Sequence, residues 1–222
     1  MRQLRTAGLL TIKGIRETPR SRLETLIRSA GYFRQKTKRL KTFVRFVDKS
    51  YGGSLSRLFK QTTEPLRQEL LGLNGIGPET ADSILLYAGN HPVFVVDAYT
   101  RRILVRHNIV AEKTTYEEIR HLWEEALAPP ADCGVSHQLE TRNQKLETTP
   151  SSHRPSPMSI AKRSNLAQVY NEMHGLIVAV GKNYCLKSKP RCEQCPLAKY
   201  LPGTIKESRS QPLLILSPCP KS

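Results

Sequence analysis

A β-strand needs a partner for its backbone groups, and this sequence offers one short candidate. Residues 93–96 (VFVV) read as extended chain, and nothing else among the 222 residues reads as a second strand to pair with them. One strand of that length cannot build a stable sheet. The run is therefore expected to be a buried connector, and the fold to be all-α. The remaining periodicity agrees. Leu23, Leu26 and Ile27 mark a helix in residues 20–30. Phe33, Leu40, Phe43, Val44 and Val47 mark a long one in residues 32–51, stopped by Gly52-Gly53. A short helix is expected in residues 54–60 and others in 65–73, 78–88 and 99–106. Thr115 and Glu118 form a capping box ahead of Ile119, Leu122 and Trp123. Leu166, Val169, Tyr170, Met173, Leu176, Ile177 and Val180 lie on one face of a long amphipathic helix ending near Gly181. Residues 1–127 are expected to form one helical domain and residues 166–202 a helix with a cysteine loop. The Ser-, Thr- and Pro-rich segment 128–165 is expected to be a disordered linker, and 203–222 a flexible tail.

Between two of the helical patterns stands Leu73-Asn74-Gly75-Ile76-Gly77, followed by Pro78. Glycines at i and i+2 permit positive φ and close approach of another backbone. The amides of Gly75, Gly77 and the next helical turn would then point outward together, and such amides bind anions, DNA phosphate among them. Ile76 is expected to plug the hairpin core. A plain turn between two helices would use the same residues, so charge has to decide what the turn meets. The formal net charge is +16 with a pI near 9.9, and residues 1–50 hold 14 Lys and Arg against 3 Asp and Glu. A field of that sign draws polyanions. Nucleic acid is the leading partner and an anionic membrane surface the second. No stretch of roughly 18 apolar residues is present to span a bilayer. The N-terminal stretch lacks the apolar core and cleavage site of a signal peptide. The expected location is therefore cytoplasmic, nucleoid-associated in a prokaryote and nuclear or organellar in a eukaryote.

The order of elements narrows the reading. A helix, L-x-G-I-G, a second helix, an apolar run and an aspartate 20 residues after the second glycine resemble the helix-hairpin-helix DNA glycosylases of the endonuclease III superfamily. The stretch VVDAYTRRIL is similar to the family's V-D-x-x-x-x-R pattern. The resemblance covers residues 1–127 and 166–202. It implies an all-α, two-lobed glycosylase fold with a C-terminal cysteine loop, and double-stranded DNA carrying a damaged base as the partner of a monomer. It places Leu73, Gly75, Ile76, Gly77, Glu79 and Thr80 against DNA. It also implies that about 50 residues of the family's fold would precede the QLRTAGLL stretch, a size consistent with domains of ordinary length.

The resemblance gives Asp97 a role. Breaking an N-glycosidic bond builds positive charge on the sugar, and a fixed carboxylate stabilises that charge and orients or deprotonates the attacking water. Asp97 also suits the N-cap of the following helix. The two roles are compatible, since a cap holds the carboxylate still. Arg101 and Arg102 are expected to hold phosphates nearby. In bifunctional relatives a lysine two residues past the second glycine attacks the sugar and leads to strand cleavage. Here that residue is Glu79, which cannot form an imine. PETADS, residues 78–83, is similar to the ESADAI stretch of the endonuclease III-like 3-methyladenine glycosylases. The expectation is a monofunctional glycosylase that flips out a damaged base, alkylated bases being candidates, and hydrolyses its bond. A bifunctional glycosylase/lyase and a non-catalytic DNA-binding module are the alternatives.

Of five cysteines, Cys185, Cys192 and Cys195 cluster with six- and two-residue gaps. This matches three ligands of the family's C-x6-C-x2-C-x5-C pattern for a [4Fe–4S] cluster. The fourth position holds Leu201. Cys133 and Cys219 lie in the segments expected to be flexible. A labile three-cysteine cluster, a zinc site and a remnant loop all stay open. Lys187, Lys189 and Arg191 flank the loop and are expected to contact phosphate.

Overall fold

A computed structural model describes residues 2–128 and 163–202. Ten α-helices and no strand lie among the described residues. Of the expected linker 128–165, residues 129–162 lie outside them, as does the expected tail 203–222; Ser164 and Asn165, expected in the linker, instead cap and begin a helix. Among the described residues no helix is long and apolar enough to cross a membrane. The chain divides into two compact units at Val95/Val96, earlier than the boundary near residue 127 that composition suggested.

The first unit holds α1 (Arg2–Thr6), α2 (Ile12–Glu17), α3 (Arg20–Leu26), α4 (Phe33–Tyr51), α5 (Leu55–Leu58), α6 (Thr63–Leu71) and α7 (Pro78–Ser83). The helices α1 and α2 were not anticipated. They are short and carry one buried residue each, Leu4 and Ile15, too few for a visible period. Both residues join Leu23, Ile27 and Val44 in one apolar cluster. The side chain of Thr11 caps α2 by accepting from the Gly14 amide. Gly52 ends α4 in the left-handed region at φ +57°. A second cluster, including Val47, Leu58, Leu66, Leu70, Ile76 and Leu85, packs α4, α5, α6 and α7 together. Each fully buried leucine there contributes roughly 1.5–3 kcal/mol of transfer free energy.

The helix expected over residues 78–88 is α-helical only to Ser83. Ile84–Gly89 continues with π-helical hydrogen bonding and ends at Asn90, whose amide donates to the Leu85 carbonyl. Residues 93–96 are buried and belong to neither a helix nor a strand, as a connector should be.

The second unit holds α8 (Ala98–Arg106), α9 (Tyr116–Ala126) and α10 (Asn165–Asn183). The capping box of α9 forms, with Thr115 and Glu118 exchanging both bonds. Ser164 caps α10 by accepting from the Ala167 amide. The face of α10 formed by Ala167, Tyr170, His174, Ile177 and Gly181 is buried, and α10 packs on α8. A Cβ at Gly181 would overlap the ring of Tyr99, so the two helices approach where only glycine fits.

Candidate functional site

In the first unit, α6, Leu73–Gly77 and α7 form the expected hairpin. Ile76 is buried in the apolar cluster beneath it. Its amide donates to the Leu73 carbonyl at 3.0 Å, closing the turn. The two arms are tied by a buried ion pair. Arg67 Nε and Nη2 donate to Asp82 Oδ1 and Oδ2 at 2.6 and 3.1 Å, with side chains 4% and 0% exposed. Losing one partner of such a pair typically costs about 3–5 kcal/mol, because the other charge stays buried. The position of the hairpin is therefore fixed on both sides.

The two glycines differ in kind. Gly75 has φ +87°, and a Cβ there would stand 2.9 Å from Arg39 Nε. Gly77 does not need positive φ, contrary to expectation. It is extended at φ −95°, ψ 178°, caps α7 ahead of Pro78, and a Cβ on it would meet nothing within 4 Å. Space left open over an exposed backbone permits a ligand to approach it closely. Glu79 and Thr80 are exposed on the first turn of α7, and Leu73 is half-buried. Arg39, from α4, was not anticipated. It comes from far upstream in the sequence and brings a cation to the edge of the turn.

In the second unit, Asp97 caps α8. Its Oδ1 accepts the Thr100 amide at 2.8 Å and the Thr100 hydroxyl at 3.0 Å. Its Oδ2 lies 3.6 Å from Nε2 of His174, an ion-pair separation longer than a hydrogen bond, with side chains 14% and 10% exposed. Burial pushes the Asp97 carboxyl up. The imidazole and the two Thr100 donors more than offset this and hold it below the ordinary aspartate value. His174 was also missed. The available signal was a histidine on the apolar stripe of α10. Tyr116, from α9, accepts the Val96 amide through its hydroxyl at 3.3 Å and steadies the approach to Asp97.

Arg101 and Arg102, expected on phosphate, have another occupation. Arg101 donates to the carbonyls of Thr114 and Glu112. Arg102 donates to the carbonyls of Cys185 at 2.7 Å and Gly181 at 3.3 Å, and its guanidinium lies over the Tyr99 ring. Arg102 thereby fastens α8 to the end of α10, since carbonyls at a helix C-terminus attract cations.

Cys185, Cys192 and Cys195 line one cavity together with Arg106, His107 and Leu201. Cys185 is buried and the other two are partly exposed. Arg106 Nη1 donates to Cys185 Sγ at 3.2 Å and to the Leu186 carbonyl at 2.7 Å. His107 Nδ1 lies 3.0 Å from the Tyr200 carbonyl. Among the described residues no group of three or more His, Cys, Asp or Glu side chains stands close enough to hold a metal ion. Lys187, Lys189 and Arg191 are exposed on the flank of the loop.

Residues 1–129 match the HhH-GPD superfamily base excision DNA repair protein family. The chain is 35% identical over 199 residues to a protein of Methanocaldococcus jannaschii named as a candidate DNA repair glycosylase, covering 89% of this chain and 73% of that one. It spans about half the length of the endonuclease III-like relatives it matches in Bos taurus and Arabidopsis thaliana. In structure it is similar to the Helicobacter pylori 3-methyladenine DNA glycosylase bound to 1,N6-ethenoadenine. The TM-score is 0.59 at 28% identity, covering 82% of this chain and 74% of that one. A trapped endonuclease III–DNA covalent intermediate shares the fold, with TM-score 0.61 at 18% identity over 94% and 76% of the two chains.

Proposed function

We propose, for a chain that belongs to the HhH-GPD superfamily of base excision DNA repair proteins, that it removes an alkylated base from double-stranded DNA by hydrolysis and leaves the strand intact. The observation that carries this reading is Asp97. Its carboxylate is held by Thr100 at a helix N-terminus and kept in its charged form. As the bond between the base and C1′ breaks, the sugar becomes oxocarbenium-like, and a fixed negative charge lowers the barrier. Asp97 then accepts a proton from the water that adds to C1′, and the base leaves with the bonding pair. An alkylated base carrying positive charge already departs readily, so no second activating group is required.

Glu79 stands where bifunctional relatives carry the attacking lysine, and its exposed carboxylate cannot form an imine. The likeness to a 3-methyladenine glycosylase supports the substrate class. Gly75, Gly77, Lys187, Lys189 and Arg191 are assigned to the DNA backbone, where contacts position the duplex without reading its sequence. The spacing of Cys185, Cys192 and Cys195 is that of three iron–sulfur ligands, with Leu201 at the fourth position, although among the described residues the three thiols are not gathered into a metal-binding group. A bound cluster would order the loop and fix its basic flank.

The experiment uses duplexes carrying 3-methyladenine, 1,N6-ethenoadenine, thymine glycol or uracil. Base release from an alkylated duplex is expected, with strand breakage only after hot alkali. Asp97→Asn retains a competent cap and is expected to bind DNA while losing about 10²-fold or more in base release. A covalent adduct trapped by borohydride would overturn the hydrolytic reading, and normal turnover by Asp97→Asn would overturn the role of Asp97.

A further inference from the structure

The buried stripe of α10 contains one imidazole, at His174, and it faces the carboxylate assigned to the chemistry. Thr100 occupies Oδ1 of Asp97 with two donors from the first turn of α8. Oδ2 is turned the other way, toward α10, where His174 Nε2 lies 3.6 Å distant. The two bonds from Thr100 hold the carboxylate through one oxygen at the start of α8. The imidazole beside the other oxygen adds a second, electrostatic hold from α10. The distance between the helices is itself fixed, by Arg102 on the Gly181 and Cys185 carbonyls and by the glycine-only contact of Gly181 with Tyr99. His174 is thus held at its station and not merely near it. The gap exceeds a hydrogen bond, so Oδ2 retains acceptor capacity for a sugar or a water.

We infer that His174 is a positioning residue for base excision, orienting Oδ2 of Asp97 from α10 while Thr100 orients Oδ1 from α8. The inference rests on the role proposed above for Asp97. An N–H on Nε2, in the neutral tautomer or the imidazolium, stabilises the charged carboxylate, which is the form that opposes positive charge on the sugar. Other charged and polar groups on the three helices have partners of their own. On α8, Arg102 serves the α10 carbonyls and stacks on Tyr99. On α10, Tyr170 places its hydroxyl 3.4 Å from the Glu124 carbonyl, and its own pKa is pushed up to about 12, chiefly by burial. On α9, Arg120 pairs with Glu117 and Glu124. Among the described residues, His174 is the ionisable side chain that acts on Asp97.

The test has one arm that needs no substrate. The Asp97 carboxyl carbon is followed by NMR through an acid titration of the full chain, its signal identified by its loss in Asp97→Asn. The carboxyl is expected to titrate at higher pH in His174→Ala than in wild type, and between the two in His174→Gln, which restores an N–H donor. The second arm is single-turnover excision on the duplex that wild type processes. His174→Ala is expected to be slower by roughly tenfold or more, the scale for losing a partner that orients a functional ligand. Its acid limb should shift to higher pH, affinity for undamaged duplex should be unchanged, and His174→Gln should recover most of the rate. An unmoved titration in His174→Ala overturns the inference. So does a rate that falls only in step with DNA affinity in both variants, which would make His174 a packing residue. Normal turnover by Asp97→Asn would remove the function proposed for Asp97, while the titration would still decide the contact.

Discussion

Leu201 lines the same cavity as Cys185, Cys192 and Cys195, and at that position one atom type decides what the loop can hold. A cubane cluster bound by these three cysteines would have one corner without a protein ligand, and iron would be readily lost from it to oxygen. Arg106 donates to Cys185 Sγ on one side of the pocket, and its wall at Leu201 is apolar. Wild-type protein purified in air is expected to contain substoichiometric iron. Leu201→Cys completes the spacing and is expected to raise iron and sulfide per chain and to increase Tm, since a bound metal stabilises only the folded state. Iron and sulfide analysis of both proteins, prepared anaerobically and in air, checks this. Four irons per chain in air-exposed wild type would instead mean that another residue completes the set, and His107 in the cavity wall would be the one to substitute next. Asp97 shows the same economy at the scale of one side chain. One oxygen caps a helix and the other faces an imidazole, so the bond to Thr100 that starts α8 also aims the carboxylate.

The hairpin is an element whose two glycines serve different ends. Gly75 sits at positive φ against Arg39, so Gly75→Ala combines backbone strain with a close contact. It is expected to destabilise the first unit by about 1–3 kcal/mol, read as a lower Tm by calorimetry. Gly77→Ala meets open space at an ordinary φ and is expected to leave stability within about 0.5 kcal/mol of wild type. Both variants should bind undamaged duplex more weakly, on every sequence tested by fluorescence anisotropy, because a methyl group over either amide keeps the phosphate away. Unchanged affinity in Gly77→Ala would detach the hairpin from DNA docking. Elements also explain what sequence reading overlooked. The helices α1 and α2 each bury a single residue, and a helix of five or six residues is held by its neighbours more than by its own propensity. The π-helical segment Ile84–Gly89 carries an ordinary helical pattern up to the residue where its hydrogen bonding widens.

Across the whole molecule, a net charge of +16 predicts binding to undamaged duplex that falls steeply with salt, as counterion release requires. The slope of log Kd against log salt measures how many phosphates are neutralised. Lys187→Ala, Lys189→Ala and Arg191→Ala are each expected to reduce it by about 1. A slope near zero would contradict docking through the backbone. What was legible in the sequence is what adjacent residues encode. The caps at Asp97 and Thr115, the stop at Gly52, the buried connector at residues 93–96 and the cysteine spacing all depend on neighbours a few positions away, and local sterics and hydrogen bonds select them in any context. Tertiary structure decided the rest. Arg102 reads as a phosphate ligand beside Asp97 until it reaches the Gly181 carbonyl, 79 residues away along the chain. Arg39 joins the hairpin, and His174 joins Asp97, only after helices from distant parts of the sequence pack. Such contacts leave no period and no fixed spacing, because each partner satisfies its own helix locally and meets the other only when burial of the apolar faces brings those helices together.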